Sequence, residues 1–490
     1  MRFTDDNSGR PLRPIQREIL DWAGENWNSK GHLFIGAGVG AGKSAILRTM
    51  QLKAGGNLVT SQNLLIDQYK SDYPALNDLK GGAHYPCAEY GVKCDVGSAR
   101  YSCKGGVDSC CQYQNNREAF VQGTPTILNL MSFYLNSARF KLRPGLMYLD
   151  EAHSIPSLIR TITSTSIKFG SLEKGVLNKL KYQKSDLVSE IKLCQFLRAK
   201  MDRLNVLMSK EKDPDKLDSY YRQIENTDYA LQGYESQPEQ YSIQFIDGAL
   251  KVFPLKAPRK FMDRIIGEGG ILTSATLLPH DMRELSGKDK YTFRDFGTPI
   301  PAANRQLVHV PMPFGFSFHE IQPLGIAEKI MDLYKKNPVP TVVHCTYGMS
   351  LRLREHLFDP RIIWHTKEDK GEAVAKFKNE GGILMACGLS EGLDLKGELC
   401  RQQIIVQLSF PNISDAFVAK RRALADGSEW YLGETFKTLA QALGRSTRGE
   451  DDYSTTYILD SRFPNTFHSW KKLGIISKDF ESAVVFGKGR

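Results

Sequence analysis

The chain has 490 residues, of which 41% are hydrophobic, and 65 Lys and Arg against 55 Asp and Glu leave a net charge of +10. That length suits about two to four domains, the apolar content excludes wholesale disorder, and the basic balance suits a polyanionic partner. No apolar run approaches the roughly 18 residues that a membrane-spanning helix needs, so no membrane association is expected.

The polar start MRFTDDNSGR lacks the apolar core of a secretory signal. The protein is therefore expected in a reducing, intracellular compartment: cytoplasmic and nucleoid-associated, or the host cytoplasm for a viral chain. In such a place nine cysteines are not a disulfide framework.

The first apolar run, His32–Ile35, reads as a buried strand. It leads into Gly36-Ala37-Gly38-Val39-Gly40-Ala41-Gly42-Lys43-Ser44. Glycines here let backbone N–H groups turn inward around a β-phosphate. Gly38, Gly40, Ala41 and Gly42 are the expected cradle of ATP, Lys43 reaches the β- and γ-phosphates, and the Ser44 hydroxyl binds Mg²⁺. The helix that starts here directs its positive end at the anion. A second short run, Leu58–Val59, follows.

Five cysteines crowd Cys87–Cys111. Cys87, Cys94, Cys103 and either Cys110 or Cys111 offer four thiolates, a set that suits an iron–sulfur cluster or zinc. Their long gaps differ from the tight C-x2-C pairs usual for zinc. The loop is polar, and a metal cluster would supply the core it lacks. Nearby Tyr85, Tyr101 and Tyr113 either pack this small domain or stack bases. The scattered Cys194, Cys345, Cys387 and Cys400 read as ordinary buried small residues.

The run Leu146–Leu149 delivers Asp150-Glu151-Ala152-His153 at a strand end. Nucleotide hydrolysis needs two carboxylates at such a point: Asp150 to hold Mg²⁺ through water, and Glu151 to orient and deprotonate the attacking water. His153 is expected to couple this site to a second lobe. From about 170 to 235 the period changes. Leu187, Ile191, Cys194, Leu197, Met201, Leu204 and Met208 mark one helix face, Asp213-Pro214-Asp215 a turn, and Leu217, Tyr221, Ile224 and Leu231 a second helix. Strand-like runs resume at Ile271–Leu272. A connector rich in proline (Pro299, Pro301, Pro311, Pro313) precedes a second set at Val342–Val343, Ile383–Ala386, Ile404–Leu408 and Tyr457–Leu459.

In this order the chain resembles a superfamily-two DEAH-box helicase of the iron–sulfur XPD/DinG family over nearly its whole length. Leu12-Arg13-Pro14-Ile15-Gln16 resembles the segment whose glutamine reads adenine, here Gln16. Leu58–Leu65, Leu272–Leu277, Val342–Tyr347, Ser390–Gly397 and Gln441–Arg448 are similar to further family motifs, and Leu459–Phe463 follows the last as in the family. The resemblance implies an α/β fold with two RecA-like P-loop NTPase lobes and ATP between them. It implies that Gln441, Arg445 and Arg448 serve hydrolysis and that Gly392 and Asp394 serve nucleotide binding. An arginine supplied to the γ-phosphate from another lobe is worth roughly 10³–10⁵ in rate. It further implies that Thr60, Ser61, Asn129 and Thr346 contact nucleic acid. The run Leu79–Cys87 resembles the approach to the family's first cluster ligand, and Cys111-Gln112-Tyr113 its last, so the resemblance selects a 4Fe–4S cluster on Cys87, Cys94, Cys103 and Cys111.

The expected organisation is a first lobe over 1–76, 126–165 and 246–298, interrupted by a cluster insert at 77–125 and an arch-like helical insert at 166–245, with a second lobe over 299–490. The expected activity is ATP-driven unwinding of single-stranded and forked DNA with 5′ to 3′ translocation. A DNA-stimulated ATPase that remodels nucleic acid without unwinding is the alternative. A monomer is expected, and no residue names a loading partner.

Overall fold

A computed structural model of the protein describes residues 11–27, 31–87, 111–168, 190–315, 320–387 and 395–487, apart from short interruptions at 141, 143–144, 247–248, 268, 289–290, 367–368, 396 and 448. Cys94, Cys103, Cys110, Gly392, Asp394 and Arg448 therefore lie outside the described residues. The chain forms two compact units. One comprises 1–35, 43–294 and 412–425, the other 36–42, 295–411 and 426–490.

The first unit's strands are β1 (His32–Gly36), β2 (Asn57–Thr60), β3 (Asn77–Leu79), β4 (Thr126–Asn129), β5 (Met147–Leu149), β6 (Thr165–Lys168), β7 (Tyr241–Ile246), β8 (Ala249–Pro254), β9 (Gly270–Ser274) and β10 (Thr292–Asp295). Seven of them form a sheet in the order β10-β1-β9-β5-β2-β4-β3, and the pairs from β9 to β3 run parallel. Burial on both faces explains why β5 and β9 read as unbroken apolar runs. Parallel strands end on the same edge, so the residues after β2, β4, β5 and β9 gather there.

The expected helical hairpin is present as Glu190–Lys210 and Pro214–Ser236. Of its expected stripe Cys194, Leu197, Leu204 and Leu231 are buried and Met201 packs beside them, whereas Tyr221 is 61% exposed; Leu193, Ala230 and Tyr234, outside that stripe, join the cluster against Tyr241, Leu250 and Val252. Each fully buried leucine contributes roughly 1.5–3 kcal/mol. The hairpin stands on a small antiparallel sheet, β6-β8-β7, which the periodicity did not reveal. Its strands are short and half polar, and only their pairing separates them from loop. The helix Ala416–Ala423 also belongs to this unit, although second-unit sequence flanks it. Gln244 Nε2 donates to Asp415 Oδ1 at 2.8 Å, and Lys420 Nζ donates to the Tyr241 carbonyl at 3.2 Å.

The second unit's strands are β11 (Leu307–His309), β12 (Thr341–Cys345), β13 (Ile362–Ile363), β14 (Ile383–Cys387), β15 (Gln402–Ile405), β16 (Thr455–Ile458) and β17 (Val484–Phe486). They form an all-parallel sheet in the order β13-β14-β12-β15-β16-β11-β17. Its core collects Ile326, Ile330, Val343, Leu353, Ile383, Met385 and Ile404.

Candidate nucleotide site and its surroundings

Strand β1 runs into the glycine loop. Gly40 and Gly42 have φ of 83° and 79°, a left-handed region that side chains rarely adopt. Gly38 is required for a different reason: a Cβ there would lie 2.8 Å from the Thr298 side chain. The segment after β10 is pressed onto the loop. Gly38 N–H donates to the Gly297 carbonyl at 2.6 Å, and the Thr298 hydroxyl donates to the Val39 carbonyl at 2.6 Å. Asp479 accepts the Thr298 N–H and, at 2.5 Å, the Arg305 guanidinium. These contacts hold 36–42 in the second unit, and neither Thr298 nor Asp479 was legible in the sequence.

After the loop, the helix Lys43–Ala54 begins and Lys43 Nζ lies 3.7 Å from Glu151 Oε1. Asp150 ends β5, where its N–H continues the ladder to the Val59 carbonyl at 2.9 Å. Glu151 then turns sharply with φ 53°, the lone left-handed non-glycine among the described residues. Such a conformation costs of order 1–3 kcal/mol and is held only by its surroundings. Here those are three polar contacts. His153 Nδ1 is 3.3 Å from Glu151 Oε2, Ser274 Oγ lies 3.4 Å from the same oxygen, and Ser274 Oγ is 2.6 Å from His153 Nδ1.

His153 was expected to reach the second lobe. Its observed partner is Ser274 at the end of β9, because β5 and β9 are neighbours and present both residues at one edge.

Asp150 is buried at 4% exposure, with its carboxylate accepting from Tyr69 at 3.2 Å, Thr273 at 3.4 Å and the Glu151 N–H at 3.0 Å. Burial pushes its carboxyl above the ordinary range, and the Glu151 charge adds to this. Burial also opposes ionisation of Glu151, but Lys43 and His153 outweigh it and hold that carboxyl low. Ser44 shares the Tyr69 hydroxyl, so Ser44 and Asp150 converge on one phenol. An oxygen pair of this kind, with one carboxyl poorly compensated, fits a hard divalent cation. Tyr69 was missed by sequence reasoning; its only signal was a three-residue spacing from Ile66 on the buried face of Asn63–Asp72.

Gln16 is buried, and its Oε1 accepts the Arg13 N–H at 2.8 Å. Thr60 and Asn129 pair across β2 and β4. The Thr60 hydroxyl is buried and has no hydrogen-bond partner, while Asn129 bonds Asn63 at 2.6 Å and accepts the Ser132 N–H at 2.6 Å. Ser61, half-buried, follows directly.

Cys87 and Cys111 are both buried, at the two ends of the cysteine segment. Tyr85 and Tyr113 pack together with ring centroids 5.4 Å apart, which draws those ends into one place. Tyr85 also accepts the Lys80 N–H at 3.0 Å, so these two tyrosines pack the base of the insert.

In the second unit Thr346 is exposed at the end of β12 and caps the helix Tyr347–Arg354 by accepting the Met349 N–H at 3.2 Å. His344 Nε2 meets Gln403 Oε1 at 2.9 Å, and Gln403 Nε2 donates to Ser446 Oγ at 2.7 Å. This chain crosses from β12 through β15 to the segment carrying Arg445. Desolvation holds His344 down at about 4, and Arg445 nearby acts in the same sense, so the imidazole is neutral. Gln441 is half-buried on the helix Gly427–Leu443. Gln403 is a further member that its sequence context did not reveal.

The architecture is α/β, with two seven-stranded RecA-like sheets. Residues 339–474 match the family model described as the helicase C-terminal domain. The chain is 22% identical over 487 residues to "ATP-dependent DNA helicase CHL1" of Eremothecium gossypii, covering 77% of this chain and 60% of that protein. It is 36% identical over 105 residues to the Fanconi anemia group J protein homolog of Gallus gallus, covering 18% of this chain and 8% of that one. The matched segments therefore span less than two thirds of these relatives. The solved structure titled "XPD_Helicase" aligns over 97% of this chain and 100% of its own, with TM-score 0.61 and 15% identity. "Structure of S. tokodaii Xpd4" aligns over the same shares with TM-score 0.59 and 15% identity. Residues 339–474 thus resemble a helicase C-terminal domain, and the likeness to the two solved XPD structures is one of fold.

Proposed function

We propose that the protein is an ATP-dependent DNA helicase that moves 5′ to 3′ along single-stranded DNA and opens forked duplexes. The observation that carries the reading is the Lys43–Glu151–His153–Ser274 network beside buried Asp150. Gly38, Gly40, Ala41 and Gly42 cradle the phosphates and Lys43 neutralises them, with Gln16, Gly392 and Asp394 completing the nucleotide contacts. Ser44 and Asp150 would hold Mg²⁺, which when bound offsets the charge developing on the phosphates. Glu151, kept ionised by Lys43 and His153, accepts a proton from the attacking water. Arg445 and Arg448 supply positive charge to the γ-phosphate, and Gln441 assists them.

Thr60, Ser61, Asn129 and Thr346 would grip the nucleic-acid backbone, which is where sequence-independent contacts belong. Cys87, Cys94, Cys103 and Cys111 would hold a 4Fe–4S cluster, whose contribution is a core for a polar insert. The first unit is read as residues 1–76, 126–165 and 246–298 with inserts at 77–125 and 166–245. The protein acts as a monomer; among the described residues no helix is long and apolar enough to cross a membrane. The E. gossypii relative's name, an ATP-dependent DNA helicase, supports this reading.

The test is strand separation of a forked duplex with a 5′ tail, alongside iron and sulfide analysis of anaerobically purified protein. ATP-dependent separation of the 5′-tailed but not the 3′-tailed fork, with about four irons per chain, is expected. A fork that stays paired while single strands stimulate hydrolysis would replace unwinding with DNA-stimulated remodelling.

A further inference from the structure

Strands β12 and β14 end on two thiols. Their ladder is parallel, and its last register pair is Cys345 opposite Cys387. The earlier pairs, Val342 with Leu384 and Val343 with Met385, are apolar. Paired residues on neighbouring strands project to the same face, and here the sulfurs approach to 3.6 Å. Neighbouring strands lie about 4.8 Å apart, within the roughly 4.4–6.8 Å Cα separation that a disulfide spans. Both cysteines close their strands, so bringing the sulfurs to about 2.05 Å draws on strand ends rather than on the sheet interior.

The surroundings polarise the pair. The two sulfurs lie within hydrogen-bond distance, where either can donate, and Cys387 Sγ, 3.8 Å from the Met385 carbonyl, sits beside Ser350, His365 and Arg354. These contacts pull Cys387 below the ordinary thiol range, and the same hydrogen bond, with burial, pushes Cys345 up. A thiolate is the nucleophile in disulfide exchange. Cys400 is the contrast: buried, with its thiol donating to the Gln402 carbonyl at 3.4 Å and pushed up to about 12 by burial.

We propose that Cys345 and Cys387 form a reversible disulfide site, closed by exchange with a small-molecule disulfide. The Cys387 thiolate attacks one sulfur of the reagent RS–SR, whose S–S bond breaks and releases RS⁻. Cys345 gives its proton to solvent, attacks the Cys387 sulfur and expels the second RS⁻. The protein loses two electrons and, counted from the fully protonated dithiol, two protons, which the two RS⁻ take up to become thiols. Cys345 is only half buried, and disulfides open to solvent are the readily reduced ones. The bond would tie the segment entering Thr346 to the segment entering residues 388–394. Its regulatory consequence rests on the proposed helicase reading, since those segments carry the proposed nucleic-acid and nucleotide contacts.

The experiment treats the full-length protein with oxidised glutathione, alkylates remaining thiols and maps peptides by mass. A linked Cys345–Cys387 peptide two hydrogens lighter is expected, absent in Cys345→Ser and Cys387→Ser and reversed by dithiothreitol. DNA-stimulated hydrolysis should fall about tenfold with the link and recover on reduction, while Cys345→Ser resists the treatment. Dibromobimane, which fluoresces only on joining two thiols, should label the reduced wild type, so the site is testable without a variant. Alkylation of both cysteines after treatment, glutathione retained on Cys387 without closure, or a link with no effect on hydrolysis would each overturn the proposal. A link in a protein that shows no DNA-stimulated hydrolysis upholds the disulfide and overturns the helicase reading instead.

Discussion

The two seven-stranded sheets share an architecture but differ in what their strand ends present. The first ends in charge: Asp150 and Glu151 after β5, with Lys43 3.7 Å from Glu151. The second ends in neutral polar groups and thiols: His344 on Gln403, Gln403 on Ser446, and Cys345 beside Cys387. A charged cluster can bind phosphate and move a proton. A desolvated neutral chain cannot, but it fixes geometry, because a buried hydrogen bond is costly to leave unmade. On the proposed reading the first sheet carries the chemistry and the second positions Arg445.

The largest expected effect breaks the charged side. Lys43→Ala should lower hydrolysis by about 10²–10³-fold or more while leaving DNA binding largely intact, as read by turnover and by a DNA titration. Normal turnover in that variant would remove Lys43 from the site.

The neutral side predicts a smaller loss of another kind. Gln403→Leu strands His344 and Ser446, and should lower turnover about 10–100-fold through misplacement of the arginine segment, with nucleotide affinity retained. Equal losses of affinity and turnover would contradict a positioning role. A pH series tests the same chain. The fold refuses the His344 proton until about pH 4, whereas the unfolded chain takes it near 6.5. This contribution to stability is therefore present above pH 6.5 and is lost as pH falls toward 4, a slope that His344→Gln should flatten.

The third prediction separates stability from catalysis on the charged side. Asp150 has its carboxyl raised by burial, so the ligand-free fold holds that proton more tightly than the unfolded chain. Its contribution is full below the unfolded value and is lost as pH rises through the folded one. At pH 7 Asp150→Asn should stabilise the nucleotide-free protein by about 1–3 kcal/mol and abolish the melting-temperature gain from Mg²⁺ with nucleotide. A destabilised Asp150→Asn protein would reverse the assignment of burial as the dominant cause.

The smallest effect is at the glycine loop. Thr298→Val keeps the branched shape but removes the hydroxyl from Val39. It should raise the KM for ATP about threefold to tenfold at nearly unchanged kcat, and Thr298→Ser should restore it. A change in kcat alone would count against a loop-holding role.

What the sequence determined by itself is whatever chemistry lies contiguous along it. The glycine loop, the Asp150–His153 turn and the 3.6-residue period of the helical hairpin are each local patterns. Distant partners were decided only by the tertiary structure. Tyr69 reaches Asp150, Ser274 reaches His153, Gln403 joins His344 to Ser446, and Cys345 meets Cys387 only because parallel strands put their ends on one edge in a fixed register. Cys345 and Cys387 illustrate the limit: each reads alone as a small core residue, and the pair exists only in the ladder. The base sheet β6-β8-β7 and the first-unit helix Ala416–Ala423 were hidden for the same reason, since their stability comes from pairing and packing with residues far away in the chain.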